Sequence, residues 1–377
     1  MSIIKKMLIR FLRPFTKQSI IFESIPIFSD NTKAVFDEMV DRKLYKKYYL
    51  VWWIRENRYT FYSKNKKFIE FDITSPKSLM GLLLYISIYD KPICGICCNQ
   101  MLPRLSKTET LFYLGHGTNI KSTKAYYGIS KDIDYYIAES EYFKPIVARE
   151  HRFDVNRTVA LGYPRNDVFA KTSIKKIDMI KSYKKVIVWY PTYRQHKNGF
   201  KTTNSTIPII HDDDSAIALN KLCIAQEILL VIKPHFAQDV SYIKNLHLSN
   251  IIFIDDQFFI NHSITSYEFV ASCDALLTDY SSIYYDFMLC DKPIGVIWED
   301  IEDYKVFPGF AVDLSYVMQG AEKIFSLQQL QEFIIDVAND IDKLKMERQE
   351  ICKIAHYSDD GKNSKRVVDF IIEKANL

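Results

Sequence analysis

Three observations predict an α/β protein built from two doubly wound, Rossmann-like domains. The chain is 377 residues long, about twice an ordinary domain. From Ile20 onward, short β-rich runs alternate with stretches whose apolar residues recur at helical spacing, the pattern of parallel sheets covered on both faces. The alternation is interrupted once, by the lysine-rich and weakly periodic segment Lys171 to Lys185, and resumes at Val186 to Tyr190. Two such halves bind ligands at the carboxyl ends of their strands and face a central cleft. The predicted boundaries are 1–18 for an amphipathic helix, 19–172 for the first domain, 173–185 for a linker, and 186–377 for the second domain with its terminal helices.

At the N-terminus, a helical wheel places Ile3, Ile4, Met7, Leu8, Phe11, Leu12 and Phe15 on one face. Lys5, Lys6, Arg10, Arg13 and Lys17 fall on the other, with no acid before Glu23. Such segregation suits a helix lying in an anionic membrane surface, where each cation adds about 1 kcal/mol; a first helix docked on the protein's own core is the other reading. Pro14 ends it near Arg13. No apolar h-region or cleavage site marks a signal peptide.

Strands are predicted next at Ser19 to Phe22, Tyr48 to Ile54, Phe68 to Phe71, Ile93 to Cys98, Thr110 to Leu114, Ile133 to Ala138 and Thr158 to Leu161. Helices are predicted between them at Thr32 to Leu44 and Pro76 to Tyr89. The longest apolar run, Leu79 to Tyr89, has 11 residues, against the ~20 that a spanning helix requires. The second half continues with strands at Val186 to Tyr190, Glu227 to Ile232, Ile251 to Ile254, Ala275 to Leu277 and Ile294 to Ile297. Its helices are expected at Ser282 to Cys290, Leu327 to Ile354 and Gly361 to Ala375.

Composition narrows the chemistry. Hydrophobic residues make up 48% and charged residues 25% of the chain, which is globular. The 50 Lys and Arg against 46 Asp and Glu leave a net +4, too balanced for a general nucleic-acid binder. Only 11 residues are Gly, and neither G-x-G-x-x-G nor G-x-x-x-x-G-K-[ST] occurs, so any phosphate must be held by other groups. The seven cysteines lack a disulfide-framework spacing, which fits a reducing cytoplasm. Cys94, Cys97 and Cys98 have no second ligand pair at zinc spacing and read as small apolar residues on a buried strand, so no metal site is predicted.

The residues directly after the apolar runs are where ligands are expected. Ser281 and Ser282 fall at the start of a helix after Thr278 and Asp279, where free N–H groups and the helix dipole favour an anion. Lys233 and His235 flank Pro234 just past another strand. Arg194, which follows Thr192, and Arg165, which precedes Asn166, can grip phosphate through two parallel bonds. This inventory suits a diphosphate. His116 stands between two glycines with Thr118 and Lys121 nearby; an imidazole of ordinary pKa ~6.5 can take a proton from a hydroxyl, unless it is a core histidine satisfied by backbone.

These motifs, in order, resemble the CDP-glycerol glycerophosphotransferase family, which makes teichoic acids and related capsule polymers. The resemblance runs from about Ile20 to Ile372. It rests on Ser29-Asp30-Asn31, His116-Gly117-Thr118 with Lys121, Gly162 with Pro164-Arg165-Asn166-Asp167, and Pro191-Thr192-Tyr193-Arg194. Lys233-Pro234-His235, Thr278-Asp279-Tyr280-Ser281-Ser282 with Asp286-Phe287, Lys292-Pro293-Ile294, Asp300 with Tyr304, and Asp360-Gly361 with Arg366 complete it. The sequence departs from the family pattern at Gly115, usually aromatic, and at Phe236, usually Pro.

The resemblance implies a GT-B architecture and a donor diphosphate held by the second domain through Lys233, His235, Thr278, Asp279, Ser281, Ser282 and Arg194. It implies that His116 is the base on the acceptor side and that His235 is catalytic as well, with Thr118, Lys121, Arg165, Asn166 and Thr192 as further site candidates. The implied reaction transfers glycerol phosphate from CDP-glycerol to a hydroxyl of a lipid-linked or polysaccharide acceptor, releasing CMP, with no cofactor. CDP-ribitol or another activated polyol is the nearest alternative donor, and a UDP-sugar GT-B glycosyltransferase or epimerase the next. A catalytically silent membrane relative is the third. The expected location is peripheral, at the cytoplasmic face of the cell membrane.

Overall fold

The computed structural model describes residues 3–55, 58–62, 68–72, 78–99, 102–123, 128–171, 177–192, 207–234 and 240–377. They form two units, one of Met1–His116, Gly128–Asp167 and Lys362–Leu377, the other of Gly117–Tyr127 and Val168–Gly361.

The first unit holds an eight-stranded sheet of β1 (Ser19–Glu23), β2 (Tyr49–Arg55), β3 (Arg58–Tyr62), β4 (Phe68–Asp72), β5 (Pro92–Cys97), β6 (Thr110–Tyr113), β7 (Tyr135–Ala138) and β8 (Thr158–Ala160), in the order β4-β3-β2-β1-β5-β6-β7-β8. Strands β2-β1-β5-β6-β7-β8 are parallel. The order reverses between β1 and β5, the position where open α/β sheets bind ligands. At the other edge the expectation of a wholly parallel sheet fails, because β3 pairs antiparallel with both β2 and β4. A two-residue connection after Arg55 permits only a hairpin, since a parallel return needs a crossover of a dozen residues.

Period-two alternation sends successive strand residues to opposite faces. Ile20, Phe22, Trp52, Ile96 and Phe112 join one core, closed by helix Asp30–Asp41. Ile21, Val51, Cys97, Leu111 and Tyr113 join the other, closed by helix Leu79–Asp90 through Leu84 and Ile88. The C-terminal helix Asn363–Ala375 places Val367, Val368, Ile371 and Ala375 in the first core, beside Val35, Phe36 and Met39. Residues 362–377 thus belong to the first unit, not to the domain expected over 186–377. Helical periodicity reveals that an apolar face exists; it does not name the core that receives it.

The second unit contains β9 (Lys185–Trp189), β10 (Ile228–Ile232), β11 (Ile251–Phe253), β12 (Ala275–Thr278), β13 (Ile294–Ile297) and β14 (Glu322–Ile324) in the order β11-β10-β9-β12-β13-β14. Every pair is parallel. Counted within the unit this is 3-2-1-4-5-6, the doubly wound nucleotide-binding order, with its switch point between β9 and β12. The helix expected over Leu327 to Ile354 is two, Leu327–Ala338 and Lys345–Ala355. Asp340 between them is left-handed at φ 58, a conformation Asp tolerates but a helix does not.

The N-terminal helix spans Ile3–Leu12, followed by a turn at Arg13–Phe15. Its end is tied to helix Leu79–Asp90 by the Arg13–Asp90 ion pair at 2.7 Å and by the Thr16 hydroxyl donating to the Leu83 carbonyl at 2.9 Å. Among the described residues no helix is long and apolar enough to cross a membrane.

Candidate functional site

In the first unit the strand-end residues gather around His116. β6 ends at Tyr113, and Gly115 turns the chain with φ 65. A Cβ on Gly115 would sit 3.0 Å from the Tyr163 hydroxyl and 3.2 Å from the Tyr136 ring, so glycine here answers both to the left-handed backbone and to a close approach. The exposed His116 imidazole has Nδ1 3.2 Å from the Cys98 carbonyl and 3.4 Å from the Tyr113 hydroxyl. A carbonyl oxygen only accepts, so Nδ1 carries the proton and Nε2 the lone pair. No hydrogen bond occupies Nε2 among the described residues. Burial pushes the Tyr113 pKa well up, keeping its hydroxyl protonated. Behind it His151 packs on Tyr136 at 5.4 Å; burial, reinforced by the charge of His116, lowers its pKa to about 4.

The Ser29-Asp30-Asn31 and Pro164-Arg165-Asn166-Asp167 motifs brace this loop. Asn31 donates to the carbonyls of Leu114 (3.3 Å) and Gly115 (3.0 Å) and accepts from the Arg165 backbone N–H (3.1 Å). The Arg165 guanidinium donates to Asp30 Oδ1 and to the His116 carbonyl, each at 2.7 Å. Its side chain is 5% exposed. Arg165 therefore holds the histidine's backbone, which differs from the expected grip on phosphate. Asn166 is likewise buried, 3.4 Å from the Glu139 carboxylate that also accepts from the Tyr163 N–H.

Asp167 has a separate task. Its carboxylate accepts the N–H groups of Asn363 (2.7 Å) and Ser364 (2.8 Å), two of the orphan donors at the start of the C-terminal helix, where negative charge is favoured. Gly162, at φ 81, lies so close to Asn363 that a Cβ would overlap its Oδ1.

In the second unit the expected donor residues cluster at the β9/β12 switch point. The Thr278 hydroxyl donates to the Tyr190 carbonyl at 2.9 Å. Asp279 accepts the Thr192 N–H at 2.9 Å, the Thr192 hydroxyl, and the Tyr280 N–H at 2.6 Å. Thr278 and Asp279 are fully buried, so both turn inward to join the loops after β9 and β12; they do not present themselves to a diphosphate as expected. Ser281 and Ser282 are half-buried, and no hydrogen bond occupies their hydroxyls among the described residues. The helix after them is Ile283–Met288, shorter than predicted, and Ser282 makes no side-chain cap.

Lys233, just past β10, places Nζ 3.1 Å from Asp256 Oδ1 and 5.8 Å from the Tyr190 ring centre. Asp256 is largely exposed, so an anionic ligand could replace it. Thr118 and Lys121 belong to this unit; Thr118 is buried, and Lys121 forms a β-bridge with Phe310. Arg194 and His235 lie outside the described residues. Among the described residues no group of three His, Cys, Asp or Glu side chains could hold a metal ion, and the seven cysteines form no disulfide.

Sequence reasoning missed the Cys98 carbonyl, Tyr113, Asn31 as a brace, and Glu139. A signal existed for Tyr113, three residues before His116, and for Asn31 beside Asp30; a backbone carbonyl leaves none.

A family model described as CDP-glycerol:poly(glycerophosphate) glycerophosphotransferase matches residues 5–373. The chain belongs to this family. Its relatives include a teichoic acid poly(glycerol phosphate) polymerase of Bacillus spizizenii, 24% identical over 96% of this chain and 93% of that protein. A teichoic acid ribitol-phosphate primase of the same organism is 24% identical over 64% of this chain and 60% of its own length. Among solved structures, the wall teichoic acid polymerase TagF superimposes with a TM-score of 0.66 at 20% identity, covering 99% of this chain and 93% of that one. A Staphylococcus aureus MnaA structure with UDP gives 0.53 at 13% identity, covering 96% and 98%. These likenesses show the fold, which is of the GT-B kind.

Proposed function

We propose that this family member transfers glycerol phosphate from CDP-glycerol to an acceptor hydroxyl, releasing CMP, in the synthesis of a teichoic acid or capsule polymer. The observation that carries the reading is His116, whose Nδ1 is committed to the Cys98 carbonyl at 3.2 Å and whose Nε2 is left as a base, within a chain matched by the family model over 5–373. Nε2 takes the proton of an acceptor hydroxyl as its oxygen attacks the β-phosphorus of the donor. A phosphodiester forms, the bond to the bridging oxygen breaks, and CMP leaves with the electron pair. Lys233, His235 and the hydroxyls of Ser281 and Ser282 are assigned to the diphosphate, where cations and donors stabilise charge spreading over the phosphoryl oxygens.

The acceptor is lipid-linked or a membrane-borne polysaccharide, and the enzyme works as a peripheral protein on the cytoplasmic face. Met7, Phe11 and Phe15 support this: they are 68%, 68% and 71% exposed, so these apolar side chains are not packed on the protein's own core. CDP-ribitol is the second donor to consider, since glycerol- and ribitol-phosphate enzymes both stand among the relatives.

The test is incubation of the full chain with CDP-glycerol, CDP-ribitol or a UDP-sugar and a lipid-linked saccharide. CMP release from CDP-glycerol, falling by about 10²–10⁴-fold in His116→Ala, is expected. Release of UDP, with no CMP from any CDP-polyol, refutes the reading.

A further inference from the structure

Adjacent tryptophans in β2 have opposite settings. Trp52 is fully buried among the rings of Phe22, Phe28 and Phe36. Trp53 is half-buried: it packs from one side against the core of Ile21, Val51 and Tyr59, its partner across the β2–β3 ladder, and among the described residues no acceptor meets its indole N–H. It stands between two cavities. The larger, about 320 Å³, is bounded by Trp53 and by Glu23 to Ile27 after β1. The smaller, about 140 Å³, is bounded by Trp53, Tyr59, Tyr89, Leu102 and Glu109. Glu109 is 3% exposed; its Oε2 accepts the Leu105 N–H at 2.7 Å, while no hydrogen bond reaches Oε1 among the described residues. Glu23, at 2% exposure, is the second buried carboxylate.

Register connects the larger cavity to the catalytic loop. Glu23 is level with Cys97, and Cys97 with Tyr113; Trp53 follows Trp52, the partner of Phe22, and so completes the row. The row lies along the carboxyl ends of β2, β1, β5 and β6, across the switch point of the first sheet. Three strand spacings separate its ends, about 14 Å, the reach of a short oligosaccharide. The wall of the larger cavity is fastened to the base: Asn99 Oδ1 accepts the Ile25 N–H at 3.1 Å, and the neighbouring Cys98 carbonyl accepts from His116.

Resting on the transferase reading above, we propose that Trp53, with Glu23 and Glu109 beside it, is a carbohydrate subsite that holds the sugars of the acceptor and so presents a sugar hydroxyl, not the end of a polyol-phosphate chain, to His116. The part of the indole that borders the cavities stacks on the apolar face of a pyranose, and a few placed polar groups fix its orientation. Carboxylates accept strongly from sugar hydroxyls and repel phosphates. Among the described residues lining the two cavities there are two carboxylates and no cation.

Saturation-transfer NMR on the full chain, with a lipid-free neutral disaccharide and an oligo(glycerol phosphate) as separate probes, reads binding without turnover. The disaccharide is expected to bind, to weaken about tenfold or more in Trp53→Ala, and to recover in part in Trp53→Phe; the oligo(glycerol phosphate) is expected to show no dependence on Trp53. In kinetics, Trp53→Phe raises the acceptor KM and leaves the donor KM in place, and Glu23→Gln does the same. Tryptophan-dependent binding of the oligo(glycerol phosphate), or disaccharide binding indifferent to both Trp53 variants, overturns the proposal. Disaccharide binding that persists while no CDP-polyol yields CMP refutes the transferase reading and leaves the subsite standing.

Discussion

Substituting Asp30 by Asn tests whether the strand-end arginine of the first unit braces the base or binds the donor. Asn keeps the left-handed backbone that position 30 adopts at φ 61 and retains an acceptor oxygen, so the change removes one charge and little else. The Arg165 side chain is 5% exposed and Asp30 16%, at 2.7 Å. Breaking a buried pair from one side costs about 3–5 kcal/mol, because the remaining charge has no compensation. With the His116 carbonyl still accepting from Arg165, the lower figure, ~3 kcal/mol, is expected. Two units need not unfold together, so the assay is urea-dependent hydrogen exchange read on peptides of β1 and β6. A cycle with Arg165→Met isolates the pair: the double variant should be more stable than the sum of the two single costs. In kinetics, Arg165→Met should lower kcat for CMP release with the donor KM unchanged. Additive costs, a loss below about 1 kcal/mol in Asp30→Asn, or a large rise in donor KM in Arg165→Met would refute the bracing role.

His151 supplies a pH dependence. Its folded pKa of about 4 lies below the unfolded value of ~6.5, so the unfolded chain binds the extra proton between them. Stability is then full above about pH 6.5 and falls by roughly 3 kcal/mol as pH drops to 4; His151→Phe should flatten that slope in urea titrations at stepped pH. Gly162→Ala forces a Cβ onto Asn363 and a strained φ, and limited proteolysis should release the C-terminal helix first. Thr278→Val should cost about 1 kcal/mol in thermal unfolding with a small change in donor KM, whereas Lys233→Met should raise donor KM at little cost in stability. Replacing Met7, Phe11 and Phe15 together by Ser should abolish sedimentation with anionic vesicles while CMP release with a lipid-free acceptor persists.

Strand positions were legible because β-rich runs bounded by turn residues carry a local signal: twelve of the expected strands coincide with observed ones within two residues at each end. β3 and β14 were not legible, since Arg58–Tyr62 follows β2 after only two residues and carries no separate boundary, and Glu322–Ile324 is only three residues long. Nor was the antiparallel edge, which depends on a connection too short for a crossover. The destination of the C-terminal helix was hidden for a different reason: its seat is made by Gly162 and Asp167, some two hundred residues earlier.

Within the site, the sequence marks the ends of strands but cannot sort the residues there into those that touch ligand and those that hold the residues that do. Thr278, Asp279, Arg165 and Asn166 occupy strand ends as plainly as Lys233, Ser281 and His116, yet burial assigns the first four to bracing. The division follows from the geometry of a switch point. Loops diverging on either side of the crevice lose the ladder that held their strands, and their backbone groups must find other partners. Short polar side chains at the first turn supply them, as Asp279 does for Thr192 and Asn31 does for Gly115. The motif residues one or two places further on are then free to face solvent. By the same logic Trp53, near the end of β2 beside a Trp52 sunk in rings, packs on the core from one side and borders two cavities from the other. A strand that buries a large indole completely on one face and leaves the next bordering open cavities on the other has room there for a ligand, and the adjoining carboxylates favour one rich in hydroxyls.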